Sequence, residues 1–200
     1  MTFFSGLTQS EQESFKAYKF GTYYSCNFSY DLNRKLRSNE KPPKRFQMHL
    51  FNLDNTTLKA TLKSEVTLHR ASYGTAIEPL LKGKEYKGFL AAMDKNNCLG
   101  RYFNQHSTDC NSDAYYIIIH CPKGSRVAKY EVSRQQVATE YLIPRNSRFT
   151  LVSREEIVNS TEIRTLAGTI NARKLKRIIK IELVLKKRNW FTKVLNVIIK

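Results

Sequence analysis

Acidic residues are scarce in this chain. Asp and Glu number 17 against 34 Lys and Arg, a formal net charge of +17 over 200 residues. An excess of that size draws polyanions, whether nucleic acid, an acidic membrane surface or an acidic protein partner, and is silent on fold. Long apolar runs are missing too: no stretch approaches the roughly 18 residues a transmembrane helix needs. The opening MTFFSGLTQSEQES has neither a basic leader nor a long apolar core, so a cleavable signal peptide is not expected, and the sequons at Asn27, Asn55 and Asn159 carry little weight. Cysteine is limited to Cys26, Cys98, Cys110 and Cys121, with no Cys-x-x-Cys. With His106 and His120 they match no common zinc spacing, so no metal is expected and free thiols are. Repeats and low-complexity segments are absent.

What is present suffices for a core. Hydrophobic residues make up 41% and aromatics 12%, the balance of a globular domain. The expected organisation is one domain over 1–188 with a basic, amphipathic tail over 189–200. From Asn171 to Lys200 ten Lys or Arg face one Glu, a net of +9. Within it, Arg173, Lys174, Lys176, Arg177, Lys187 and Arg188 are candidates for nucleic-acid phosphates. The segment 190–199 is also a candidate to lie on a membrane surface.

Helices come first. A capping pattern, Ser10-x-x-Glu13, predicts a helix over 10–24. A second is expected over 30–38, with Asp31 early and Arg34, Lys35 and Arg37 late, matching the helix dipole. The prolines of SNEKPPKR make a loop, and Asp54 is the expected cap of a third helix carrying Leu58 and Leu62. Strands follow: EVTLHR over 65–70, then a loop over 72–85, then a short apolar piece over 89–93. Asp94 is expected to cap a helix through Leu99 and Phe103, before a polar loop. YYIIIHC over 115–121 is the clearest strand, with 127–132 as its expected hairpin partner. RIIKIELVLK over 177–186 alternates, with Ile179, Ile181, Leu183 and Leu185 on one face. A polar stretch is expected between Val152 and Asn171. Helices in front and strands behind define an α+β class.

The stretch 130–152, YEVSRQQVATEYLIPRNSRFTLV, concentrates the interest. It reads as strand, polar loop, apolar pair, proline stop and strand, with a lone carboxylate, Glu140, where loop meets strand. Scaffold strands place such loop-edge groups accurately. Three pieces occur in order: Leu68-His69-Arg70 followed by a small residue and Gly74; GFLAAMDKNNCLGRYF; and TEYLIPRNSRFTLV. With KAYKFGTYYSCN and LNRKLR at the front, they resemble the arginine–serine–glutamate clade of mono-ADP-ribosyltransferases over roughly residues 10–155.

The resemblance implies a split β-sandwich with N-terminal helices and NAD⁺ as a substrate. It implies Arg70 as the arginine on the dinucleotide's phosphates and ribose, with His69, Ala71, Gly74, Phe89 and Ala91 around it, and Glu140 as the catalytic carboxylate. Arg70 suits its role because a guanidinium offers forked donors to phosphate. Glu140 suits its own because a carboxylate stabilises the cation that forms as nicotinamide departs. The loop before Glu140, with Gln135, Gln136 and Ala138, would recognise the acceptor. Two departures stand out. The clade's Ser-Thr-Ser falls within Leu90, Ala91, Ala92 and Met93, with no hydroxyl, so reduced or redirected activity, or a non-catalytic binding module, is the consequence to test. The acidic or amide group two residues before the glutamate is Ala138, which argues against an arginine acceptor. The expected biology is a bacterial toxin, effector or phage-defence factor. It would be cytoplasmic or delivered into a target cell, with RNA, single-stranded DNA or a protein side chain as acceptor and an acidic antitoxin or chaperone as partner.

Overall fold

A computed structural model describes residues 2–20, 22–23, 26–96, 99–104, 113–131 and 138–187. The tail expected over 189–200 lies outside them. In chain order the elements are α1 (Gln9–Phe20), β1 (Thr22–Tyr23), β2 (Cys26–Asn27), α2 (Phe28–Arg37), α3 (Lys44–Lys59), β3 (Val66–Tyr73), α4 (Glu78–Leu81), β4 (Leu90–Met93), α5 (Gly100–Asn104), β5 (Ala114–Cys121), β6 (Ala128–Tyr130), β7 (Glu140–Ile143), β8 (Phe149–Ile157), α6 (Ser160–Ala167), α7 (Thr169–Ala172) and β9 (Ile178–Leu185).

The α+β class holds, and the sheet is of the split kind. Its seven strands run β6-β7-β4-β3-β5-β9-β8. β4 and β3, however, meet through one residue pair, His69 opposite Met93. A three-stranded half and a four-stranded half therefore hinge at that point and turn their inner faces toward each other. One core lies between them, built from Leu90, Ala92, Tyr141 and Ile143 on one side and Ile117, Ile119, Ile181 and Leu183 on the other. A second packs α1–α3 onto the outer face of the three-stranded half through Phe15, Tyr18, Phe28, Leu32, Phe46, Leu53, Ala128, Tyr130 and Leu142. A third packs α5 and α6 onto the four-stranded half through Leu99, Phe103, Tyr116, Ile163 and Ile178.

Several expectations are corrected. The capping box opening α1 is Thr8 with Glu11, not Ser10 with Glu13: Thr8 N donates to Glu11 Oε2 at 2.9 Å and Glu11 N to Thr8 Oγ1 at 3.3 Å. α3 starts at Lys44, ten residues before the expected cap, because Pro43 supplies the N-terminal stop and Phe46, His49 and Leu53 form one buried stripe. Asp54, instead of capping, makes a bidentate pair with Arg145 (2.8 and 2.7 Å) that ties α3 to the turn after β7. Asp94 does not cap α5 either: its Oδ1 accepts from Thr139 N at 2.8 Å. The loop expected over 72–85 contains α4. The strand partner of β6 is β7, not β5. The polar stretch expected after Val152 is the rest of β8 followed by α6 and α7. β8 is an edge strand whose middle residues are exposed, so no alternation betrays it.

Candidate active site

The site lies where the sheet splits. The strand registers line up His69 on β3, Met93 on β4, Glu140 on β7 and Tyr130 on β6 in a row across four strands. Here the parting of β3 from β4 leaves a small cavity of about 70 Å³ lined by His69, Arg70, Ala71, Ala91, Ala92, Met93, Leu99, Tyr102 and Glu140.

Arg70 crosses the split. Its Nη1 donates to the Ala91 carbonyl at 2.5 Å, stitching the two halves together where their ladder is thinnest. Its Nε is buried and finds no partner among the described residues. A buried guanidinium nitrogen without an acceptor is costly and marks a place prepared for an anionic or polar ligand. Glu140 is the first residue of β7, on the opposite wall. Burial pushes its carboxyl above the ordinary carboxylate range, with Lys19 and Arg70 pulling the other way. Lys19, reaching over from α1, sits 3.4 Å from Glu140 Oε2. A half-buried acid flanked by cations in a cleft, with a perturbed proton affinity, is a candidate reacting group. His69 stacks on Tyr116 (ring centres 5.9 Å apart) and its Nδ1 lies 2.9 Å from the Tyr116 hydroxyl. Burial, then the neighbouring His120, holds His69 below the ordinary histidine range, so it is neutral near pH 7.

The structure thus brings together Arg70, His69, Ala71, Ala91 and Glu140. It does not bring Phe89 or Gly74 to the cavity. Phe89 precedes β4 and faces the helices, buried edge-on against Tyr18 at 5.8 Å. Gly74 lies past the end of β3, in the left-handed region (φ 61°), its N–H donating to the Asp113 carbonyl. Ala138 packs against the α5–α6 side; Gln135 and Gln136 lie outside the described residues. Among the basic candidates, Arg177 is engaged by Asp113 (2.8 Å) and Glu156 (3.1 Å). Arg173, Lys174, Lys176 and Lys187 are exposed, while Arg188 lies outside the described residues. No cluster of three or more His, Cys, Asp or Glu able to hold a metal occurs among the described residues.

Met93, Leu99, Tyr102, Tyr130 and Lys19 were missed. Only Lys19 had a signal: it follows Phe15 by four residues, which puts it on the buried face of α1.

The split sandwich with α1–α3 on one face is a fold shared with solved bacterial ADP-ribosyltransferase toxins. The chain is similar to the C3larvin toxin, an ADP-ribosyltransferase from Paenibacillus larvae (19% identity, 92% of this chain and 98% of that one, TM-score 0.60). It is similar to the Clostridium limosum C3 exoenzyme (16%, 92% and 90%, 0.58). It is also similar to exoenzyme S from Pseudomonas aeruginosa, solved in complex with human 14-3-3 protein beta and bound to carba-NAD (13%, 95% and 84%, 0.61). No protein-family profile matches the chain, and no curated protein does.

Proposed function

We propose that this protein is a mono-ADP-ribosyltransferase that cleaves NAD⁺ and passes ADP-ribose to a macromolecular acceptor. The observation that carries the reading is the pairing of Arg70, its Nε buried and unpartnered among the described residues, with the half-buried Glu140 at one cavity in this fold. Support comes from two proteins of the same fold solved with nicotinamide dinucleotides or analogues, exoenzyme S with carba-NAD and the C. perfringens toxin BECa with NADH.

In this reading Arg70 Nε takes a phosphate or ribose oxygen of the substrate while Nη1 keeps its hold on Ala91. Glu140 accepts a hydrogen bond from the nicotinamide-side ribose and faces the positive charge that builds as the C1′–N1 bond breaks. Nicotinamide leaves with the bonding pair, the acceptor's nucleophilic atom bonds to C1′ and gives up its proton. A low-dielectric, preorganised carboxylate is worth most at that moment. The small cavity suits only the reacting end. A larger depression of about 410 Å³, lined by Arg37, Thr75, Lys84 and the Lys82–Glu78 ion pair, starts at Thr75. That is five residues beyond Arg70, at most about 18 Å of chain, and its cations suit the phosphates.

The acceptor we favour is nucleic acid, RNA or single-stranded DNA. The +17 charge favours it, as do the exposed Lys174, Lys176 and Lys187. Phosphate contacts of this kind need no sequence-specific reader. The same charge suits an acidic antitoxin or chaperone. The test is phosphorus-labelled NAD⁺ in a lysate, divided into nuclease-treated and protease-treated halves, with Arg70→Ala alongside. Label lost to nuclease, and reduced at least about tenfold in Arg70→Ala, is expected. Label lost only to protease assigns a protein acceptor. No label with any preparation refutes transfer and leaves a binding module.

A further inference from the structure

Lysine is among the residues least often buried, yet the Lys19 side chain is only 16% exposed. α1 turns it inward, one helical step from Phe15, and brings its Nζ to 3.4 Å from Glu140 Oε2. The same Nζ stands 4.2 Å from the centre of the Tyr130 ring. That ring is itself fixed edge-on by Phe4 (5.0 Å) and Phe15 (5.1 Å). The ammonium is therefore held between a carboxylate and a rigid aromatic face, a geometry in which cation–π attraction and charge pairing add.

Among the described residues, the cavity wall at Glu140 includes His69 on β3 and Tyr102 on α5. α1 offers Lys19 and the Tyr18 hydroxyl, which is committed to the Phe89 carbonyl at 3.1 Å. β3 offers Arg70, committed through Nη1 to Ala91. β6 offers the Tyr130 ring and its pairing with β7. β4 reads Leu90, Ala91, Ala92 and Met93, without a hydroxyl. The ion-pair partner that the carboxylate has among the described residues is Lys19, 3.4 Å from Oε2.

We infer that Lys19 is a positioning residue for Glu140: it pairs with Oε2, favours the charged carboxylate against the cost of burial, and so leaves Oε1 to the reacting sugar. The inference rests on the transferase reading of Glu140. Lys19 does not touch the substrate in this account. The Tyr130 face holds the ammonium in place by cation–π attraction.

Nicotinamide release from NAD⁺, with water as acceptor, is to be followed between about pH 5 and about pH 9 for the full chain and for Lys19→Met, Lys19→Arg and Glu140→Gln. Methionine keeps the length of the side chain and its contact with Tyr130. Melting curves establish that each variant is folded. Lys19→Met is expected to move the acid limb of kcat upward by about one pH unit or more and to lower kcat below that limb at least tenfold, with KM for NAD⁺ little changed. Lys19→Arg is expected to keep the limb where the parent has it. Carbon-13 NMR titration of the Glu140 carboxyl, in the parent and Lys19→Met, reads the same displacement without turnover. Should Lys19→Met titrate like the parent in both readouts while Glu140→Gln is inactive, Lys19 is packing only and the inference fails alone. Should the parent release no nicotinamide, the transferase reading fails, while the NMR displacement still decides whether Lys19 sets the charge of Glu140.

Discussion

Glu140→Gln is expected to make the protein inactive and more stable at once. Turnover of NAD⁺ should fall by about 10²–10³-fold or more, the loss typical when a group aimed at transition-state charge is neutralised in a dry site. The melting temperature near pH 7 should rise. Burial is the dominant influence on Glu140, and it outweighs the opposing pull of Lys19 and Arg70, so the folded protein holds this proton more tightly than the unfolded chain does. For a carboxyl raised in this way, its contribution to stability is fully present below the unfolded value of about 4.3 and is lost as the pH climbs through the folded value. Glutamine does not titrate and escapes that loss. Its advantage should therefore be visible at neutral pH and disappear by about pH 4. At this size each 1 kcal/mol gained corresponds to about 2–4 °C. Retained turnover would move the chemistry to another residue. A lower melting temperature at neutral pH would mean that the contact with Lys19 outweighs the burial.

That trade-off was only partly legible in the chain itself. Glu140 could be singled out because a lone acid stood where a polar loop met an apolar strand, and Arg70 through the family resemblance, although β3 does not end there as expected but runs on to Tyr73. Their separation of 70 positions says nothing about proximity. It is closed by β4, which pairs with β3 at Met93 and with β7 along its whole length. Four apolar residues of a strand buried on both sides show no alternation to reveal that role. Lengths were misjudged for similar reasons. α3 was cut short because Asp54 resembles a cap, whereas its partner Arg145 lies 91 residues away. β8 was ended at Val152 because an exposed edge strand has the composition of a loop. The central strands β5 and β9 read correctly since their buried positions are filled by apolar residues, isoleucine above all, over a whole strand length.

Asn33→Ala is expected to be among the most damaging single substitutions in the molecule, although Asn33 does not line the cavity. Its side chain bridges the helices to the sheet. Oδ1 accepts from the Phe89 N–H at 2.8 Å, and Nδ2 donates to the Tyr18 hydroxyl at 2.6 Å. That hydroxyl in turn donates to the Phe89 carbonyl at 3.1 Å. Both backbone groups of Phe89 are thus satisfied by side chains of α2 and α1, just before β4 begins. Alanine would leave the buried Phe89 N–H without an acceptor, and the Tyr18 hydroxyl would lose its donor. Orphaned buried groups of this kind cost about 1–3 kcal/mol each, so a loss of about 2–4 kcal/mol is expected. In melting temperature this is about 5–15 °C. Activity should fall too, because β4 carries the Ala91 carbonyl that holds Arg70. Gly88 supplies an independent check. A Cβ there would stand 2.6 Å from Asn33 Oδ1 and 3.2 Å from its Cγ. Gly88→Ala must therefore push the same amide out of place. The two substitutions damage one network, so the double variant should lose clearly less than the sum of the singles, by about 1 kcal/mol or more. Additive losses in denaturant melts would show that Gly88 and Asn33 act separately, and that the bridge from the helices to β4 is not a single unit.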